Sequence, residues 1–167
     1  MLQIPTIIVD IDGTLALGIG DHRKAYDYHL CGNDKPNPVP WAIVEMWSKY
    51  NPFGWIIFMS GRENVKFNSD ITLGEGDPYQ FKNCFELTRN WLDMYSNLFV
   101  LEMKQRLVMR EEDDHREDSI VKKEMYEKLK EEIPELDVQF VLDDRNQVVK
   151  MWRELGLTCL QVADGDF

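Results

Sequence analysis

Val9-Asp10-Ile11-Asp12-Gly13-Thr14-Leu15 closes an apolar, β-branched run that starts at Ile4, and the reading of this junction decides the fold. A short run of that composition fits a strand buried on both faces, as inside a parallel sheet. Both acids then stand where the strand yields to a turn, for which Asp and Gly are suited. The pattern recurs down the chain. Residues 53–59 form a second apolar run that stops at Ser60-Gly61-Arg62, and residues 98–103 form a third. Residues 138–142 form a fourth that ends in Asp143-Asp144, and residues 157–162 a fifth. Helical periodicity fills the gaps. Pro38 opens a pattern through Trp41, Val44 and Trp47 that closes near Asn51-Pro52. Phe81, Phe85, Thr88, Trp91, Leu92 and Tyr95 recur at helix spacing within residues 79–95. Residues 119–132 make another helix, stopped by Pro134, and residues 146–155 a short one capped by Gly156.

Strands alternating with helices predict an α/β fold: a three-layer Rossmann-like domain whose central, mainly parallel sheet has about five strands joined by right-handed crossovers. In such sheets ligands bind at the carboxyl ends of the strands. Three strand ends carry Asp10 and Asp12, Ser60 and Arg62, and Asp143 and Asp144, so residues far apart in sequence are expected at one crevice. Residues 17–37 and the stretch around Gly74, Gly76 and Pro78 read as loops. Neither leaves room for a large cap, so little or no cap domain is expected and access to Asp10 should be open. The acid-rich run at residues 110–118 reads as a solvated loop or first helical turn.

The chain of 167 residues is expected to be a single domain spanning 1–167. Nineteen basic against thirty acidic side chains give a net charge of −11, which argues against a broad nucleic-acid-coating surface and leaves open a local basic pocket. Cys31, Cys84 and Cys159 are widely spaced without a CxxC pair and read as reduced packing residues, not a disulfide framework or zinc site. No apolar run is long enough to span a membrane, and the first residues lack a basic flank or a small-residue cleavage site. A cytoplasmic address and no membrane partner are expected.

Four carboxylates in one pocket repel one another and demand a compensating cation. All-oxygen ligation suits a hard ion, and a sparse protein shell favours Mg2+ over Ca2+. A carboxylate can attack phosphorus to give an aspartyl-phosphate that water later hydrolyses. Ser60 and Lys122 offer a hydroxyl and a positive charge for the phosphate oxygens, and Asp12 is placed to serve as acid and base. Acidic neighbours are expected to favour the protonated form of Asp12.

Asp10-Ile11-Asp12-Gly13-Thr14-Leu15 resembles the DxDGT[LV] signature of the haloacid dehalogenase superfamily, with Ser60, Lys122 and Asp143-Asp144 filling its other motif positions. More closely, the chain resembles the 3′-phosphatase domains of polynucleotide kinase-phosphatases, the phage type in particular. That likeness rests on Val9 through Ala16, on Ser60-Gly61-Arg62-Glu63, and on the tail from Leu142-Asp143-Asp144-Arg145 to Gly165-Asp166-Phe167. It implies Asp10 as nucleophile and metal ligand, Asp12 as the acid-base residue whose main-chain oxygen also meets the metal, and Asp143 and Asp144 completing or orienting the metal shell. It implies Lys122 in catalysis, and Ser60, Gly61, Arg62, Arg23, Asp118 and Thr14 beside the substrate. The loop before Arg23 is somewhat longer than is usual for these domains. No GxxxxGK[ST] phosphate loop occurs, so 5′-kinase activity is not expected.

Taken singly, Asp143-Asp144 reads as a turn or helix cap, Ser60 as a turn residue, and Lys122 as a surface lysine with Lys123 as its rival. His22, His29 and His115 lack a ligand spacing. The tryptophans fall mostly at core spacing, which leaves base stacking as their lesser role. The combined expectation is a Mg2+-dependent phosphatase acting on 3′-phosphorylated DNA or RNA ends, and by resemblance on 2′,3′-cyclic phosphates. A separate kinase or ligase partner fits that role. The alternatives are a phosphatase for mononucleotides or other small phosphomonoesters, and a catalytically idle binding subunit.

Overall fold

The computed structural model describes residues 3–73, 80–96 and 104–165. In chain order the first half holds β1 (Ile4–Val9), β2 (Ala16–Leu17), a 3-10 helix (Tyr28–Asn33), β3 (Lys35–Pro36), α1 (Pro38–Tyr50) and β4 (Trp55–Glu63). It continues with β5 (Lys66–Ile71), β6 (Phe81–Asn83), α2 (Cys84–Tyr95) and β7 (Lys104–Arg110). The last part holds α3 (Asp118–Glu132), β8 (Leu136–Arg145), α4 (Asn146–Glu154) and β9 (Cys159–Gly165).

β1 is apolar on both faces because both are covered. Ile7 and Val9 point into one core with Ile56 and Phe58 of β4, while Ile8 points into the other with Ile57 and Met59, the two-residue period of a strand. Burying each such side chain contributes about 1.5–3 kcal/mol. Trp41, Val44 and Trp47 of α1 and Trp91 and Leu92 of α2 close the first core. Leu129 of α3 and Val148, Met151 and Trp152 of α4 close the second. The result is a three-layer α/β domain. Its five-stranded sheet has the order β7-β4-β1-β8-β9 with every pairing parallel. Chain order reverses direction at β1, so the crevice lies beyond the carboxyl ends of β1, β4 and β8.

Two small antiparallel ladders, β2-β3 and β5-β6, sit outside that sheet. A satellite cluster of Tyr28, Cys31, Phe81, Cys84 and Leu87 packs beneath the second. β5 falls in a stretch that reads as loop, since Lys66-Phe67-Asn68-Ser69-Asp70-Ile71 has no clean alternation and is held by pairing with β6. α2 starts later than its periodicity suggests because Asn83 caps it, accepting a hydrogen bond from the Glu86 amide at 2.8 Å. The third strand expected at residues 98–103 lies outside the described residues, and the pairing with β4 is made by Lys104 through Arg110. All three cysteines are buried and free. Among the described residues no helix is long and apolar enough to cross a membrane.

Candidate active site

Asp10 leaves the end of β1 at the centre of the sheet, and Asp143 and Asp144 end the adjacent β8. One carboxylate oxygen from each of the three lies within 4.8 Å of the others, and all three residues are buried. Lys122, on the first turns of α3, reaches into the group. Its Nζ donates to Asp10 Oδ1 at 2.7 Å and Asp143 Oδ2 at 3.0 Å, and lies 3.4 Å from Asp118 Oδ2. Burial alone would push the lysine pKa down; Asp10, Asp118 and Asp143 overturn that and hold it well above its ordinary value.

One lysine does not balance the acids. Burial pushes the Asp10 carboxyl well above its usual range, Lys122 opposes the shift, and Asp143 and Asp144 add to it. Asp144 is raised to about 6, by burial first and Asp143 second. Asp10 Oδ2 is buried without a hydrogen-bond partner. An orphaned carboxylate oxygen inside an all-oxygen cluster is what a hard divalent cation satisfies, so these three residues fit such an ion. The rest of the shell is fixed. Asp143 Oδ2 also accepts from Trp152 Nε1 at 3.3 Å, and Thr14 Oγ1 lies 3.5 Å from Asp144 Oδ1. Gly13 sits at φ +80°, and a Cβ there would come within 2.1 Å of Asp144 Oδ2. Only glycine lets the turn pass so close.

Asp12 faces a different environment from Asp10. Its carboxylate accepts from Arg62 Nε at 2.7 Å, Arg62 Nη2 at 2.8 Å and Arg23 Nη2 at 2.5 Å. Behind the two arginines lies Asp34, fully buried, which accepts from Arg23 Nε at 2.7 Å, Arg23 Nη2 at 2.6 Å and Arg62 Nη2 at 2.8 Å. His22 Nε2 stands 3.2 Å from Asp34 Oδ1. Arg62 Nη1 donates to Thr88 Oγ1 of α2 at 3.1 Å. Burial works against ionising Asp12, but Arg62 and then Arg23 outweigh it and lower its carboxyl to about 2. This corrects the expectation that acidic neighbours keep Asp12 protonated: its neighbours are guanidiniums.

The third wall comes from the loop between β7 and α3. Arg110 Nη1 donates to the carbonyls of Asp114 and Arg116, each at 2.9 Å, and Nη2 donates to Asp118 Oδ1 at 2.9 Å. Glu63 Oε2 accepts from the Asp113 amide at 3.1 Å. Burial opposes the Asp118 charge, yet Lys122, Arg110 and Arg145 together hold its carboxyl below its ordinary value. A Cβ on Gly61 would lie 2.4 Å from Asp118 Oδ1, so β4 and α3 meet there without a side chain between them.

The sequence-derived residues therefore converge. Asp10, Asp12, Gly61, Arg62, Asp118, Lys122 and Asp144 line a single cavity of about 690 Å3. Arg23 joins Arg62 on Asp12 despite its longer loop. Lys122 enters the site while Lys123 is 47% exposed and pairs with Glu127. Ser60 and Thr14 are placed behind the wall, both fully buried, with Ser60 Oγ accepting from the Arg62 amide at 3.1 Å. No site role for Asp34, Thr88, Glu63 or Arg110 follows from the sequence. Two of them carry a visible signal: Glu63 stands in the Ser60-Gly61-Arg62-Glu63 stretch, and Thr88 is a polar residue on the apolar stripe of α2.

Known proteins resemble this chain over nearly its whole length. The viral protein named bifunctional polynucleotide kinase/RNA ligase, from Autographa californica nuclear polyhedrosis virus, is 25% identical over 151 residues, which is 90% of this chain and 18% of that protein. A chain in the structure of the Pnkp1/Rnl/Hen1 RNA repair complex is similar at 34% identity and a TM-score of 0.74, covering 99% of this chain and 44% of that one. A second Pnkp1/Rnl/Hen1 complex gives 32% identity and a TM-score of 0.74, covering 99% of this chain and 48% of the other. This chain thus spans less than half the length of each of these relatives. The HAD domain of the effector Lem4 from Legionella pneumophila shares the fold at 12% identity and a TM-score of 0.54. The description "Polynucleotide kinase PNKP phosphatase domain" fits residues 4–167, and the chain belongs to that family.

Proposed function

We propose that this domain is a Mg2+-dependent polynucleotide 3′-phosphatase that heals nucleic-acid ends by phosphomonoester hydrolysis. The observation that carries the reading is the convergence of Asp10, Asp143 and Asp144 on a point flanked by Lys122 and opened to a cavity that also holds Arg62 and Asp12. Mg2+ held by the three carboxylates would, together with Lys122, offset much of their charge and screen an arriving phosphate from them. Asp10 attacks phosphorus, the P–O bond to the 3′ oxygen breaks, and the phosphoryl group rests on the Asp10 carboxylate until water displaces it. Lys122 stays on the developing negative charge through both steps.

Asp12 is ionised in the arrangement described, which suits the second step, where it takes the proton of the attacking water. The first step needs it as an acid. An arriving phosphate competes for the Arg62 and Arg23 donors that now stabilise the Asp12 charge, and loss of those bonds raises its proton affinity where the leaving oxygen emerges. Thr14 and Ser60 serve from behind, Thr14 by orienting Asp144 and Ser60 by fixing the backbone of Arg62. Residues 1–167 acting as one phosphatase domain, work inside the cell, cleavage of 2′,3′-cyclic phosphates and a separate kinase or ligase partner complete the reading. Support for partnership is that the relatives' names join kinase and RNA ligase or speak of RNA repair.

Phosphate release from 3′-phosphorylated DNA and RNA oligonucleotides, 5′-phosphorylated controls and 3′-mononucleotides, with and without Mg2+, tests the proposal. Metal-dependent turnover of the 3′ ends, absent in Asp10→Asn, is expected. Turnover of mononucleotides alone would transfer the reading to small phosphomonoesters, and folded protein inert on every substrate would leave a binding subunit.

A further inference from the structure

The cavity has two unlike kinds of lining residue. Acids, Lys122 and arginines make most of its lining, but the segment from the end of β2 to the first residue of the 3-10 helix contributes Ile19, Ala25, Tyr26 and Tyr28. Tyr26 is 78% exposed and Ile19 41% exposed, so an aromatic ring and an aliphatic side chain face water at the mouth of a charged site. The ring of Tyr26 meets an aromatic neighbour. It stands edge-on to Tyr28, with centroids 6.3 Å apart and planes at 89°, and Tyr28 is itself buried in the satellite core. An edge-on neighbour leaves a face of the Tyr26 ring open.

We propose that Tyr26 is the stacking platform for the base of the terminal nucleotide, with Ile19 flanking it. The proposal rests on the polynucleotide 3′-phosphatase reading above and adds a specificity element to it. Phosphate, sugar and base follow one another outward from Asp10, and Tyr26 lines the same cavity as the phosphate-facing residues. Stacking on a tyrosine face favours any base over none and does not read which base it is, because every base has a π face. That property suits an enzyme that must heal ends of arbitrary sequence. It also accounts for an acidic protein holding a nucleic-acid end: the grip is local and aromatic rather than a spread of positive charge.

The test compares two oligonucleotides carrying a 3′-terminal phosphate, identical except that the last nucleotide of one lacks its base. Steady-state constants are measured for wild type, Tyr26→Ala and Tyr26→Phe. Wild type should prefer the base-bearing end in kcat/KM by about tenfold or more, the worth of one stacked base. Tyr26→Ala should erase most of that preference through KM, and Tyr26→Phe, which keeps the ring, should retain it. A preference unchanged in Tyr26→Ala overturns the proposal, as does an equal loss on both ends, which would mark Tyr26 as a support for the surrounding loop. If wild type frees phosphate from neither oligonucleotide yet acts on small phosphomonoesters, the polynucleotide reading itself falls, and the platform falls with it.

Discussion

Asp34 is bonded to Arg23 and Arg62 behind Asp12, and removing its charge should both destabilise the domain and disorder the substrate-facing arginines. Its carboxylate accepts three guanidinium hydrogen bonds of 2.6–2.8 Å from Arg23 and Arg62 while fully buried. Deleting one member of a buried ionic network typically costs about 3–5 kcal/mol, because the partners stay buried without their counter-charge. Asp12 remains to compensate each arginine, so the low end applies to Asp34→Ala, about 3 kcal/mol. For a domain of this size that corresponds to a fall in Tm of about 6–12 °C. Asp34→Asn keeps the volume and turns an NH2 toward a guanidinium, so it should lose about 2 kcal/mol or more. Urea unfolding would measure both variants, with the m value unchanged, and kinetics should show KM rising as Arg23 and Arg62 lose their fixed orientation. If both variants unfold within about 0.5 kcal/mol of wild type, the two arginines do not depend on Asp34 and the reasoning is wrong.

Lys122→Met should cost about 3–5 kcal/mol in urea unfolding and abolish activity, whereas Lys123→Ala should stay within about 0.5 kcal/mol and keep full activity. Gly13→Ala forces a Cβ to within 2.1 Å of Asp144 Oδ2 at a backbone φ of +80°, and should weaken Mg2+ binding by calorimetry as Asp144 is displaced; wild-type affinity would show that the turn does not set that carboxylate. Asp144 is raised to about 6, so the folded metal-free protein holds its proton more tightly than the unfolded chain does. The stability this gives is complete below the ordinary Asp range and is lost as pH rises through about 6. Scanning calorimetry without metal should therefore show Tm falling between pH 5 and pH 7.5, and added Mg2+ should cancel the fall by holding the carboxylates ionised.

The residues that the sequence made legible stand at strand ends. Asp10, Arg62, Asp143 and Asp144 each follow an apolar run, and parallel pairing around β1 leaves them no other place to meet. Taken singly, Lys122 reads no differently from Lys123; the family motif alone picks it out, and α3 turns residue 122 inward beside Asp118 while Lys123 pairs with Glu127. Asp34 was illegible because Asn33-Asp34-Lys35-Pro36 has loop composition, and only the pairing of β2 with β3, Leu17 opposite Lys35, carries it under Arg23. The charge state of Asp12 is hidden from the sequence for a related reason. Two residues beyond Asp10 the chain has already turned, bridging back to Ala16, and the side chain meets the arginines instead of the acids. Arg110 opens the acid-rich run that reads as a solvated loop or first helical turn, since its role of gathering two carbonyls and Asp118 depends on how that loop closes.

Asp10 is the proposed nucleophile, set beside a cation that it would hold jointly with Asp143 and Asp144. Acid quenching of the protein during turnover of a 3′-phosphorylated oligonucleotide with Mg2+, followed by peptide mapping, reads this directly. The expected result is one phosphoryl group on the peptide that contains Asp10, lost in Asp10→Asn and absent when Mg2+ is withheld. Steady turnover by Asp10→Asn, or a phosphoryl group trapped on another residue, would contradict it.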